Sequence, residues 1–227
     1  MSQVNVSPYH GVFFDLDGTL VDTAPDLVAA ANQLLLKRNL PPKPYEILRP
    51  CASAGARGLI EGAFGIGTDH PDFGMLRDEF FENYEKALFV HSKLFNGIED
   101  LLTKMDDVKL PWGIITNKHE RFTNPLTDLM GLRQRAVSTV SDDTTPHAKP
   151  HPEPILHAAR IAQIDPTKSI YVGDDLRDIV AGKAAGMQTV AATYGYCGCE
   201  EHPETWGADF LVDNPFDLMQ IIFPNKV

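Results

Sequence analysis

The sequence predicts an α/β protein in which a doubly wound parallel sheet is interrupted by an all-helical insertion. Three observations carry that expectation. An apolar, β-favouring run, Val12 to Phe14, stops abruptly at two carboxylates, Asp15 and Asp17. From about Gly97 onward helical patterns alternate with short apolar strands, the pattern of a parallel sheet covered by helices on both faces. Between the two, residues 22–92 hold no strand pattern, which is far more chain than a single crossover needs.

In chain order, Val12–Phe14 reads as a buried strand broken by Gly18, where a turn lets a ligand approach the backbone. Pro25 opens a helix on which Leu27, Val28, Ala31, Leu34 and Leu35 share a face to about Arg38, and the prolines at 41, 42 and 44 stop it. Pro44 opens a short helix through Leu48. The small-residue stretch 51–58, CASAGARG, reads as a loop feeding a helix from about Arg57 to Phe64. Pro71 then starts a longer helix with Phe73, Leu76, Phe80, Tyr84 and Leu88 in one stripe, read as packing core. The alternating part places helices at 97–105, 119–130, 152–163 and 177–186, and a last one at the C-terminus. Its strands fall at Trp112–Thr116, Ala136–Val140, Ser169–Gly173, Gln188–Ala192 and Asp209–Val212. A Rossmann-like core of residues 1–21 plus 93–227, with a helical cap at 22–92, is the expected organisation.

A chain of 227 residues with 43% hydrophobic content can bury one sizeable core plus a smaller unit. The net charge of -11 repels nucleic acid and anionic membranes, so neither is an expected partner. With no long apolar run and no signal-like start, a cytoplasmic monomer or homodimer is expected. Three cysteines, two of them one residue apart, make no disulfide framework. Cys197, Cys199 and His202 form C-x-C-x-x-H, which lacks the paired ligand spacing of a zinc site. His91 is expected to be packed.

Four signals fall where a doubly wound sheet holds its ligand, beyond the C-terminal ends of strands. They are Asp15 with Asp17, Thr116 with Asn117, Lys149 among Pro146, Pro150 and Pro152, and the run VGDDLRD carrying Asp174, Asp175 and Asp178. At least three carboxylates so gathered need compensation. A divalent cation supplies it, and hard oxygen donors suit Mg²⁺ better than zinc. Lys149 adds the remaining positive charge. Such a set meets the needs of phosphoryl transfer.

The strings DLDGTLVD, ITN, KP and GDDLRD, in that order, resemble the four motifs of the haloacid dehalogenase superfamily, and the insertion after the first resembles its helical cap. The resemblance implies that Asp15 is the nucleophile that becomes an aspartyl phosphate and Asp17 the acid and base. It implies that Thr116, Asn117 and the backbone around Gly18 bind phosphoryl oxygens while Lys149 holds phosphoryl group and nucleophile. It gives Mg²⁺ to Asp15, the Asp17 carbonyl and Asp174, with Asp178, and less directly Asp175, supporting the metal's waters. Asp17 argues for phosphoester chemistry, because a dehalogenase has no leaving oxygen to protonate.

Within the superfamily, LVDTAPDL, ITNK, KPHPEP, VGDDLRDI, AGKAAGM and TYGY resemble phosphoglycolate phosphatases. SAGAR, VHSKLFNG and WGAD resemble N-acetylmuramic acid 6-phosphate phosphatases at least as well. The expected substrate is a small, carboxylated phosphomonoester, with 2-phosphoglycolate first and the amino-sugar phosphate close behind. Arg57, in the cap loop, is the candidate partner for the substrate carboxylate. A sugar-phosphate mutase and a non-catalytic phosphoacceptor are the competing readings.

Overall fold

The computed structural model describes residues 7–198 and 202–224. The chain enters through β1 (Gly11–Phe14) and turns into the two-residue β2 (Val21–Asp22). Helices α1 (Ala24–Lys37), α2 (Tyr45–Leu48), α3 (Gly55–Phe64) and α4 (Phe73–Lys86) follow, with a 3₁₀ turn at Pro50–Ala54 ahead of α3. β3 (Lys93–Leu94) brings the chain back. Then come α5 (Ile98–Asp107), β4 (Trp112–Ile115), α6 (Glu120–Leu129), β5 (Thr139–Val140) and α7 (Glu153–Ala162). β6 (Ser169–Gly173), α8 (Leu176–Ala184), β7 (Gln188–Ala192), β8 (Phe210–Val212) and α9 (Leu218–Ile222) complete the described elements.

All the pairings in the main sheet are parallel and its order is β5-β4-β1-β6-β7-β8. The chain builds outward from β1 through β4 and β5, then crosses back to β6 on the other side. That reversal makes β1 the switch point, where loops diverge and leave a crevice at the strand ends. Alternate residues serve opposite faces. Val12, Phe14, Ile114, Ile170 and Val172 join a cluster that continues into the helical segment; Phe13, Ile115 and Tyr171 pack with Ile155, Ala158 and Ala181 on the other side.

α1 buries Leu27, Val28, Ala31, Leu34 and Leu35 against α4, whose Leu76, Phe80 and Tyr84 recur every fourth residue. The start of α1 is capped from a distance: the backbone N–H groups of Thr23 and Ala24 donate to the Tyr196 hydroxyl at 2.7 and 2.8 Å. This satisfies donors that a helix cannot satisfy itself.

Several features depart from the expected elements, among them the strand expected at Ala136–Val140, which is only Thr139–Val140. Residues 21–22 and 93–94 pair as a short antiparallel ladder, Val21 with Leu94 and Asp22 with Lys93, too brief to leave a pattern in sequence. The stretch 51–58, expected as loop, is a 3₁₀ turn running into α3 at Gly55. Tertiary contacts override its weak propensity: the Ser53 hydroxyl donates to Asp175 and the Ser53 carbonyl accepts from Arg177 Nη2 at 2.7 Å.

Where the chain leaves and re-enters the sheet region, Asp26 ties the two passages together. Its buried carboxylate accepts from the backbone N–H groups of Val90, His91 and Ser92 at 2.9–3.1 Å and from the Ser92 hydroxyl at 2.6 Å. His91, expected to be packed, is exposed and takes part through its backbone N–H.

Candidate active site

β1 ends where its neighbours end, so Asp15 emerges between β4 and β6 with its backbone N–H donating to the Val172 carbonyl at 2.9 Å. The chain then turns at Gly18 with φ +87°, and a Cβ there would collide with the Asp174 carboxylate. Only glycine lets this turn lie against Asp174.

Lys149 reaches the same point from the loop before α7. Its buried Nζ faces Asp15 Oδ1 and Asp178 Oδ1, both at 2.7 Å, the Ile115 carbonyl at 2.8 Å and the Tyr171 hydroxyl at 2.9 Å. The loop is fixed by Asn117: Nδ2 donates to the Lys149 carbonyl at 2.8 Å, and the Lys149 N–H donates to Asn117 Oδ1 at 3.0 Å. The Asn117 side chain therefore braces Lys149. Thr116 is buried at the end of β4, its hydroxyl accepting from the Lys118 N–H at 3.1 Å.

β6 delivers the remaining acids. Asp174 accepts from the Thr19 hydroxyl at 3.0 Å and the Tyr196 N–H at 2.7 Å. Asp175 and Asp178 cap α8 reciprocally, so α8 begins where the strand stops. Asp175 turns away from the other acids, toward Ser53 and the Arg177 guanidinium. Burial pushes its carboxyl up, but Arg177 and Ser53 outweigh burial and hold it at about 2.

Oxygens of Asp15, Asp174 and Asp178 all lie within 4.8 Å of one another, and all three residues are buried. Against them stands the one ammonium of Lys149, leaving two negative charges uncompensated within the cluster. Burial, with mutual repulsion added, pushes Asp15 up to about 7 and raises Asp174 and Asp178 as well, despite Lys149 beside two of them. A hard divalent cation fits this set by charge and by donor type. The resemblance gives Asp178 a supporting part; the structure brings an Asp178 oxygen within 4.8 Å of those of both Asp15 and Asp174.

A pH dependence follows. Asp15 has a folded-state pKa near 7 against 3.8 for the free group, so its protonated form favours folding at low pH. That contribution is lost as pH rises through about 7. Metal-free protein is expected to melt lower at pH 8 than at pH 5, and Mg²⁺ to raise the melting temperature by several degrees at pH 8 and by much less at pH 5. Thermal melts with EDTA and with Mg²⁺ at the two pH values check this. Equal metal effects at both would count against the three acids as the binding set.

Asp17 stands apart from the cluster. Its Oδ1 accepts from the Thr23 hydroxyl and from Lys118 Nζ, the latter at 2.9 Å. Lys118, which the sequence reading did not select, is buried, and its Nζ lies 4.6 Å from the centre of the Tyr84 ring. Burial alone would depress this ammonium, but Asp17 and Tyr84 raise it. Lys118 is the last residue of the ITNK string, but a lysine entering a helix is ordinarily solvated and its residue type alone does not mark it for a role.

A cleft of about 560 Å³ opens over Asp17, Thr116, Asn117 and Lys118, walled by Phe80, Phe81, Tyr84 and Phe122 with Arg77 and Arg121 among its lining. Arg57 does not face it. Arg57 is exposed on α3 and lines an adjoining groove of about 520 Å³ with Glu61, Cys197 and Trp206, which shares Ser53, Ala54 and Arg177 with the cleft. The rotation of α3 is set by Leu59, Ile60 and Ala63, which fix the buried face and leave the arginine exposed. His202 is exposed, and Cys199 lies outside the described residues. Among the described residues no helix is long and apolar enough to cross a membrane.

Residues 12–192 match the model of the haloacid dehalogenase-like hydrolase family. An N-acetylmuramic acid 6-phosphate phosphatase of Pseudomonas putida is 42% identical over 211 residues, 93% of this chain and 95% of that protein. A phosphoglycolate phosphatase of Xanthomonas campestris pv. campestris is 41% identical over 209 residues, 92% of this chain and 94% of that one. The crystal structure of a predicted phosphoglycolate phosphatase from Haemophilus somnus superposes with a TM-score of 0.83 at 25% identity, covering 95% and 98% of the two chains. With the parallel sheet, the buried acids and these relatives in agreement, the chain belongs to the haloacid dehalogenase-like hydrolase family and is one of its phosphatases.

Proposed function

We propose that the protein hydrolyses a carboxylated sugar phosphomonoester, N-acetylmuramic acid 6-phosphate, through a phosphorylated Asp15 with Mg²⁺ bound at Asp15, Asp174 and Asp178. The observation that carries the chemistry is Asp15 itself, buried at the end of the central strand with Lys149 at 2.7 Å and two further acids within 4.8 Å. In this reading an Asp15 oxygen attacks phosphorus, the ester P–O bond breaks, and Asp17 gives its proton to the leaving oxygen. Water then attacks phosphorus, Asp17 takes a water proton, and inorganic phosphate departs as the Asp15 carboxylate is restored. Mg²⁺ supplies charge neutralisation for the phosphoryl oxygens. Lys149 holds Asp15, Asn117 holds Lys149, and Thr116 together with the backbone around Gly18 faces the phosphoryl group. The Asp17 carbonyl is a further metal ligand in this reading, and the helical segment from 22 to 92 acts as a cap over the sheet.

The choice of substrate rests on the cleft. The sequence motifs put 2-phosphoglycolate first, but a two-carbon acid fills little of about 560 Å³, whereas a pyranose ring can pack between the aromatic walls. Arg121, its guanidinium 4.5 Å from the Phe122 ring centre, is a planar cation suited to a carboxylate. With Mg²⁺, kcat/KM for N-acetylmuramic acid 6-phosphate is expected to exceed that for 2-phosphoglycolate by about 100-fold, roughly 2.7 kcal/mol of transition-state binding. Phosphate release from both, beside common hexose phosphates, tests this. The opposite preference would restore 2-phosphoglycolate, and isomerised sugar phosphate without phosphate release would indicate a mutase.

A further inference from the structure

The Tyr84 side chain is fully enclosed, and among the described residues its hydroxyl makes no hydrogen bond of ordinary geometry, although the Lys118 ammonium lies near enough to influence it. A buried hydroxyl left unpaired is a cost that folds ordinarily avoid. Burial pushes its ionisation up to about 12, so it is a neutral donor. Tyr84 lies in the wall of the cleft beside Lys118, whose Nζ makes a hydrogen bond to Asp17 and otherwise stands over the Tyr84 ring. The ammonium has three N–H donors, so it retains capacity for another acceptor. A donor pair with unused capacity therefore sits beside Asp17. The two come from distant elements, Tyr84 from α4 and Lys118 from the loop before α6.

We infer that Lys118 and Tyr84 are a substrate-positioning pair, donating from Nζ and the hydroxyl to an oxygen carried on the carbon next to the one bearing the phosphate. The inference rests on the proposed reaction, because Asp17 marks where the leaving oxygen sits. An acceptor one carbon away falls within reach of donors bonded to Asp17 or packed beside them. Both candidate substrates carry such an oxygen: the carboxylate in 2-phosphoglycolate and the ring oxygen in N-acetylmuramic acid 6-phosphate. p-Nitrophenyl phosphate has only C–H groups there. The pair would thus select for oxygenated leaving groups, since a site built to hydrogen-bond an oxygen discriminates against analogues lacking it.

Tyr84→Phe deletes the hydroxyl and nothing else. We expect the ratio of kcat/KM for the better of the two carboxylated substrates to that for p-nitrophenyl phosphate to fall about tenfold, mainly through KM. The melting temperature should hold or rise, because an unpaired buried hydroxyl is removed. Lys118→Met should lower the same ratio further. An unchanged ratio in Tyr84→Phe overturns the inference. So does a drop in melting temperature with both substrates slowed equally, which would show that the hydroxyl serves packing. If wild-type protein hydrolyses p-nitrophenyl phosphate but neither carboxylated phosphate, the substrate reading fails separately. The pair is then judged by Tyr84→Phe on the best hexose 6-phosphate, which also carries a ring oxygen on the adjoining carbon.

Discussion

Asp15→Asn is expected to lower phosphate release from every phosphomonoester by at least ~10⁴-fold, a loss of about 5.5 kcal/mol or more in transition-state stabilisation. The amide is nearly the same size, so the effect is chemical. It is a poor nucleophile, and it removes one of the three negative charges that draw a cation. The variant is also expected to be more stable than wild type in EDTA at pH 8, since it relieves repulsion among Asp15, Asp174 and Asp178. Single-turnover kinetics and parallel melts measure both effects. Turnover within tenfold of wild type, with metal present, would remove Asp15 from its role.

Lys149→Met is expected to act in the opposite sense on stability. It leaves Asp15 and Asp178 without the ammonium that each meets at 2.7 Å. Removing one partner of a buried charge pair costs about 3–5 kcal/mol, a fall in melting temperature on the order of 10 °C for a chain of this length. Lowering the pH to 5 should shrink the deficit, because the raised carboxyls then bind protons. Saturating Mg²⁺ should recover part of it. Turnover should drop roughly 10²–10³-fold even in the folded fraction, as when a single charge-stabilising donor is removed. A melting curve unchanged in EDTA at pH 8 would show that Lys149 does not neutralise the cluster.

Much of the sheet was legible because buried parallel strands are short apolar runs with sharp ends. Ser169–Gly173 and Gln188–Ala192 appear with the bounds the sequence suggests. The acids were legible for the same reason, since Asp15 and Asp174 are the first charges after such runs. The orientation of Arg57 was not legible, because the rotation of α3 is set by its apolar neighbours and no feature of the arginine records that. Lys118 was missed because its meaning lies in a contact with Asp17, 101 residues away in sequence. Asn117 was noted for its position, but its engagement with the Lys149 peptide depends on a loop 32 residues on. Sequence pattern reports burial and local conformation well; partnership across the fold it reports only where a motif encodes it.

The Asp26 carboxylate reaches the three successive backbone N–H groups of Val90, His91 and Ser92, and the β2–β3 ladder lies beside them. Both chain crossings are therefore fastened at one joint, and any pivoting of the intervening helices would have to turn about it. The same rotation would carry Tyr84 off Lys118 and Ser53 off Asp175 in one stroke. Were such pivoting to occur, entry of a ligand and assembly of the pocket would lie on one coordinate.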